Sequence, residues 1–171
     1  CEFVSQLVEV FPHVELVICN GDNSMAVSEA DIIVTAVSCQ LPLLKAKDMK
    51  KGCLYIHVGG WEDEFAVPQL CDKIVCDEWH AVKHRSQTLS RMYMQGLLSD
   101  SDIYADLVDI ISSRKAGRET DIERIYFNSV GLSFIDIYFA NQIYNEAVKM
   151  GLGKEIELCD TEKIGYDIFD K

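Results

Sequence analysis

Two apolar, β-branched runs constrain this chain more than anything else in it. Residues 30–38 read ADIIVTAVS, residues 53–60 read CLYIHVGG, and both runs end in small residues. The polar stretch between them, residues 44–52, reads as a short surface helix closed by Gly52. Strand, helix and strand at this spacing form a βαβ unit, whose strands run parallel and are covered on both faces. A third apolar run follows at residues 73–76 (KIVC). The expected sheet therefore has strands at 32–37, 53–58 and 73–76, adjacent and parallel. In open parallel sheets, ligands sit outside the carboxyl ends of the strands. Those ends are Thr35, Ala36, Val37 and Ser38, and His57, Val58, Gly59 and Gly60. Small residues there let a flat or charged ligand approach the backbone, although an ordinary tight turn uses them too.

The chain has 171 residues, enough for one domain with a real core, and no apolar run is long enough to span a membrane. Its net charge of −12, without a basic stripe, argues against nucleic acid as a partner. Acidity does not forbid a phosphate site built from backbone amides. The seven cysteines lack a C-x-x-C pair and lie mostly in apolar runs, so they read as reduced, buried thiols of a cytoplasmic protein. No metal centre is expected. His80 and His84 have zinc-like i, i+4 spacing, but no glutamate follows His80 and no third ligand is evident. The chain opens on Cys1 inside an amphipathic pattern, which reads as a cut in a longer protein.

Apolar spacing predicts a helix over 2–11, ended by Pro12, then a short strand at 14–19, a turn at 20–23 and helical turns at 24–29. A long helix is expected from 77 or 78 to 95, with Gly96 closing it, and a short one at 107–112. Its first turns, residues 79–88 (WHAVKHRSQT), are the most polar helical stretch and read as a solvated helix start or a cleft-facing one. Residues 114–118 form an exposed basic loop, in which Arg118 reads as solvated or in a structural salt bridge. The pattern at 121–128 fits a strand or a helical turn. The clearest helix is 132–150, where Leu132, Ile135, Phe139, Ile143, Ala147 and Met150 recur at three and four before Gly151. Phe127, Phe134, Tyr138, Phe139 and Tyr144 read as core or oligomer interface, and the tail from 155 has weak periodicity.

The runs at 30–38 and 52–60, with KAGRETDIERIYFNSVG at 115–131, also carry a resemblance. Over nearly its whole length the chain resembles the ornithine cyclodeaminase/mu-crystallin family, whose K-x-G-R-x-x-x-x-E-x-x-x-F-x-S-V-G pattern residues 115–131 match. Residues 77–89 resemble a subgroup of it named for a component of tyramine oxidase. The resemblance implies an α/β fold: the C-terminal part of a Rossmann-type parallel sheet plus a returning helix, with the first βαβ unit and its dinucleotide fingerprint absent. Residues 1–130 would be a partial dinucleotide-binding domain, and 131–171 the returning helix and tail of a dimerisation domain. On that sheet the strand at 14–19 is the third and that at 32–37 the fourth, so two strand edges would lie unpaired where strands one and two belong.

The implied activity is that of an NAD(P)-dependent oxidoreductase or lyase acting on a small amino acid or cyclic imine as a homodimer. The alternative is a non-catalytic nucleotide-binding or partner subunit. The implied cofactor contacts are Thr35, Ala36, Val37, Ser38, His57, Val58, Gly59, Gly60 and Ser129, with Val130 lining the substrate pocket. Ornithine cyclodeaminases, by this resemblance, place a proton-transferring aspartate after the glycine pair, where this chain has Trp61 in a shortened loop. Tryptophan cannot carry protons. Glu62 and Asp63 are the substitutes the sequence offers.

Overall fold

A computed structural model describes residues 2–19, 21, 23–154 and 156. The chain divides into two compact units, residues 1–131 and 132–171. The first opens with helices α1 (Glu2–Val10) and α2 (Asn23–Glu29) and then builds a five-stranded sheet. Its strands are β1 (Ile32–Thr35), β2 (Leu54–His57), β3 (Lys73–Cys76), β4 (Ala105–Asp106) and β5 (Ile125–Asn128). Short helices α3 (Ala66–Leu70), α4 (Trp79–Val82), α5 (Thr88–Met94) and α6 (Leu107–Ile111) lie between them. The second unit is described mainly by helix α7 (Ser133–Lys149).

The strand order is β1-β2-β5-β3-β4, and every pair is parallel. The three expected strands are thus present and parallel, but β2 and β3 are not neighbours. The ambiguous segment at 121–128 inserts β5 between them and completes both ladders. Its IYFN sequence alternates at the strand period, and Tyr126 and Asn128 are fully buried.

The register puts Ile33, Tyr55, Tyr126 and Ile74 in one row, followed by Thr35, His57, Asn128 and Cys76 on the same face. This face is closed by Val67, Trp79, Val82, Leu89 and Met92 from the short helices. The opposite face is covered unevenly. Lys73 and Val75 on β3 are buried there, whereas Ile32 and Val34 on β1 are 60% and 57% exposed. Coverage of both faces, as expected of a parallel sheet, therefore holds for β3 and fails at β1.

Three further expectations change. Residues 14–19 do not form a strand, and Val14, Val17 and Ile18 are exposed. A strand exists through its ladder, and no sheet edge reaches this segment among the described residues. The helix expected at 44–52 shrinks to a 3₁₀ turn at Ala46–Asp48. The long helix expected to reach residue 95 breaks into α4 and α5, because the backbone turns at 83–87 and buries the Gln87 side chain. The turn at 20–23 and the tail from 155 lie largely outside the described residues. The five described cysteines are free, and burial pushes the Cys71 thiol up to about 12.

Candidate functional site

The carboxyl ends of β1 and β2 open onto a cleft of about 440 Å³. Ala36, Val37 and Ser38 form one wall, Val58, Gly59 and Gly60 the other, and Gln40 stands at the rim. Six of the nine residues expected at a cofactor thus share one cleft. Gly59 and Gly60 do not use the left-handed region. They are required by crowding: a Cβ on Gly59 would collide with Glu62 Oε1 and the Val37 carbonyl, and one on Gly60 would come within 2.8 Å of the Cys39 carbonyl and Gln40 Nε2. Their smallness lets the β1 and β2 loops close on each other.

The other three expected residues face elsewhere. Thr35 lines an apolar groove on the open flank of β1, with its hydroxyl 2.9 Å from Tyr55 OH. His57 turns its ring inward and is fully buried. Its Nε2 lies 2.8 Å from the Gly60 carbonyl, and its Nδ1 lies 3.0 Å from Asn128 Oδ1 and 2.9 Å from Tyr126 OH. Ser129 donates its hydroxyl to Asp77 Oδ2 at 3.0 Å. The same carboxylate oxygen accepts the backbone N–H groups of Val130 and Gly131, at 2.8 and 2.9 Å. These three donors form a small anion nest at Ser129, and the protein's own Asp77 fills it. Val130 is half-buried and packs against the core, with no part in the cleft lining.

The two proton-transfer candidates, Glu62 and Asp63, both have fully buried carboxylates bonded within the protein. Glu62 accepts the Val37 N–H at 2.5 Å and the Gly59 N–H at 3.0 Å, which ties the ends of β1 and β2 together. Asp63 accepts the Thr88 hydroxyl at 2.5 Å and the Tyr126 hydroxyl at 3.1 Å. Burial pushes the Asp63 carboxyl up to about 6, against the opposing pull of His57 and the two hydroxyls. Burial also raises the Tyr126 phenol well above its usual range, and Asp63 reinforces that shift. Trp61 packs on Phe65 and lies under the Arg91 guanidinium, 4.9 Å from its ring centre.

Sequence reasoning missed Gln87, whose amide reaches Val58, Gly59, Asn128 and Ser129. Its only signal was a polar run within an otherwise helical pattern. His80 and His84 stack edge to face at 5.3 Å, and among the described residues no cluster of three metal-ligating side chains occurs. Arg118 donates to the Glu123 carbonyl at 2.5 Å, a structural contact in an exposed loop. No helix of the described residues is long and apolar enough to cross a membrane.

The ornithine cyclodeaminase/mu-crystallin family model matches residues 2–151. The chain belongs to this family. It is 36% identical over 160 residues to a Delta(1)-pyrroline-2-carboxylate reductase of Bacillus cereus, covering 91% of this chain and 48% of that protein. Among solved structures, the Thermococcus litoralis Delta(1)-pyrroline-2-carboxylate reductase in complex with NADH and L-proline superimposes with a TM-score of 0.81 at 23% identity, covering 91% of this chain and 49% of that one. An archaeal alanine dehydrogenase dimer with bound NAD gives 0.78 at 23% identity, over 92% of this chain and 50% of that one. At that identity the likeness establishes a Rossmann-type fold. The chain spans about half the length of these relatives.

Proposed function

We propose that this chain is the nicotinamide-end half of an NAD(P)-dependent reductase of cyclic imines and related amino acids. One observation carries the reading: in a member of this family, the parallel ends of β1 and β2 close a cleft with Ala36–Ser38 and Val58–Gly60. The small residues there suit a flat ring and its ribose, while the pyrophosphate needs a first strand-to-helix turn that does not occur among the described residues. When bound, the nicotinamide supplies or takes the hydride, and the protein orients it. Ser129 spends its hydroxyl hydrogen on Asp77 and keeps an oxygen lone pair for a ligand amide. Val130 is assigned to the substrate side. Glu62 and Asp63 are assigned to anchoring the strand ends.

The substrate class follows from the 36% identity to a pyrroline-carboxylate reductase. Assembly follows from α7, where Phe134, Ile137, Tyr138, Ile143 and Tyr144 are each at least 60% exposed. Such a surface is apolar enough to be an oligomer interface, here a homodimer. Free cysteines support a reducing, cytoplasmic setting.

A second reading is a protein that binds nucleotide without turnover. Trp61 favours it, since an indole packed under Arg91 cannot shuttle a proton. The test is calorimetry and NADH or NADPH oxidation with Δ1-pyrroline-2-carboxylate, on full-length protein. Binding with turnover supports the first reading, binding without turnover supports the second, and no binding rejects both. The isolated 171-residue chain is expected to bind NAD(P)H poorly.

A further inference from the structure

The turn at 83–87, which the proposed activity leaves unused, carries one side chain with an unusual set of contacts. Gln87 is 5% exposed and immediately precedes α5. Its Nε2 lies 2.8 Å from the Gly59 carbonyl, 3.0 Å from that of Ser129 and 3.2 Å from that of Val58. Its Oε1 accepts the Asn128 amide at 2.7 Å. A primary amide has two hydrogens, so three carbonyls share two donors and none is left to turn outward freely. No backbone N–H among the described residues takes these three carbonyls. Glu62 meanwhile holds the Gly59 N–H from the other side. Gly59 is therefore fixed at both its N–H and its carbonyl by buried side chains.

We infer that Gln87 is a positioning residue for the nicotinamide end of the cofactor site. It never touches the ligand. It locks the Val58–Gly59–Gly60 wall of the cleft to the Asn128–Ser129 end of β5, and so sets where a ring on that wall lies relative to the substrate. This rests on the function proposed above. A simple structural tie between two strands does not need an amide whose donors all go to backbone oxygens of one ligand edge. Apolar packing would join the strands without fixing the direction of any peptide group.

Two substitutions in full-length protein test it. Gln87→Glu keeps the shape and removes the donors, and Gln87→Met keeps the length and removes every hydrogen bond. Both should lower kcat for NADH-dependent reduction of Δ1-pyrroline-2-carboxylate by about 10- to 100-fold. The Kd for NADH should rise by less than about threefold, since the wall would misorient a ligand still held at its other end. A purely structural role would instead lower the melting temperature and leave kcat per folded molecule unchanged. In the wild-type protein, NADH should shift the NMR resonances of the Gln87 side-chain amide, a readout that needs no variant to fold. Wild-type turnover with variants within about twofold in kcat, or an unmoved Gln87 resonance on saturation with NADH, overturns the inference alone. A wild-type protein that binds no nicotinamide nucleotide overturns the proposed function, and the inference with it.

Discussion

The two faces of the sheet differ more than its strand sequences do. On one face Tyr55, His57, Tyr126 and Asn128 are fully buried and joined through hydroxyl, ring-nitrogen and amide contacts. On the other, Leu54, Ile56, Ile125 and Phe127 are half-covered, and β1 leaves Ile32 and Val34 in solvent. The greasier residues are on the open face, and the polar ones are sealed inside. Residue type alone therefore does not tell which side of a strand is buried. A polar residue can be buried when its partners converge on it, and here loop and helix residues Glu62, Asp63, Gln87 and Thr88 supply them. The open face meets solvent wherever no layer lies on it.

The largest expected difference between the faces comes from Tyr126→Ala. It removes a fully buried ring that stands edge-on to Tyr55 at 5.0 Å, together with its contacts to His57 and Asp63. Urea unfolding should show a loss of about 3–5 kcal/mol. A loss below about 1 kcal/mol would mean that the polar face is not the core.

Asp63→Asn should act next, and in the opposite direction at neutral pH. The native carboxyl at about 6 lies above its unfolded value near 3.8, so the native state holds more protons between those limits. Stability therefore falls as pH rises from about 4 to about 6, and the deficit persists above that range. The ionised group costs about 2–3 kcal/mol at pH 7. Melting temperatures of the wild type should rise between pH 7 and pH 5, and Asp63→Asn should flatten that rise. Equal pH dependence in both proteins would remove Asp63 as its source.

Gly59→Ala should follow, at about 1–3 kcal/mol, because the new methyl meets Glu62 and the Val37 carbonyl. Faster hydrogen exchange at the Val37 and Gly59 amides should accompany the loss, since Glu62 accepts from both. The smallest effect belongs to the open face: Ile32→Ala and Val34→Ala should each change the stability of the 171-residue chain by less than about 1 kcal/mol. The same substitutions costing several times more in a longer protein would mark this face as covered there.

Much of the architecture was legible because apolar β-branched runs and three–four spacing report local geometry directly. Ile32–Thr35, Leu54–His57 and Lys73–Cys76 fall inside their expected strands, and Ser133–Lys149 inside its expected helix. The segment at 121–128 was ambiguous because its charged residues interrupt both periods, and only two waiting sheet neighbours decide for a strand. Residues 14–19 have strand-like composition and no ladder, which shows the same rule from the other side. The cleft was legible as well, since strand-end small residues mark the carboxyl edge of a parallel sheet. Its supports were not. Nothing in the local pattern marks Glu62, Asp63 and Gln87 as buried supports, and only the tertiary structure encloses them.

By itself, then, the sequence determined the family, the parallel α/β class and the small-residue strand ends that wall the cleft, because these depend on local pattern and short motifs. The tertiary structure alone decided that β5 separates β2 from β3, that Asp77 fills the nest at Ser129, and that the two carboxylates after Trp61 face inward. Each of these outcomes depends on which distant groups converge on a buried donor or acceptor. That convergence joins residues tens of positions apart, beyond the reach of any periodicity along the chain.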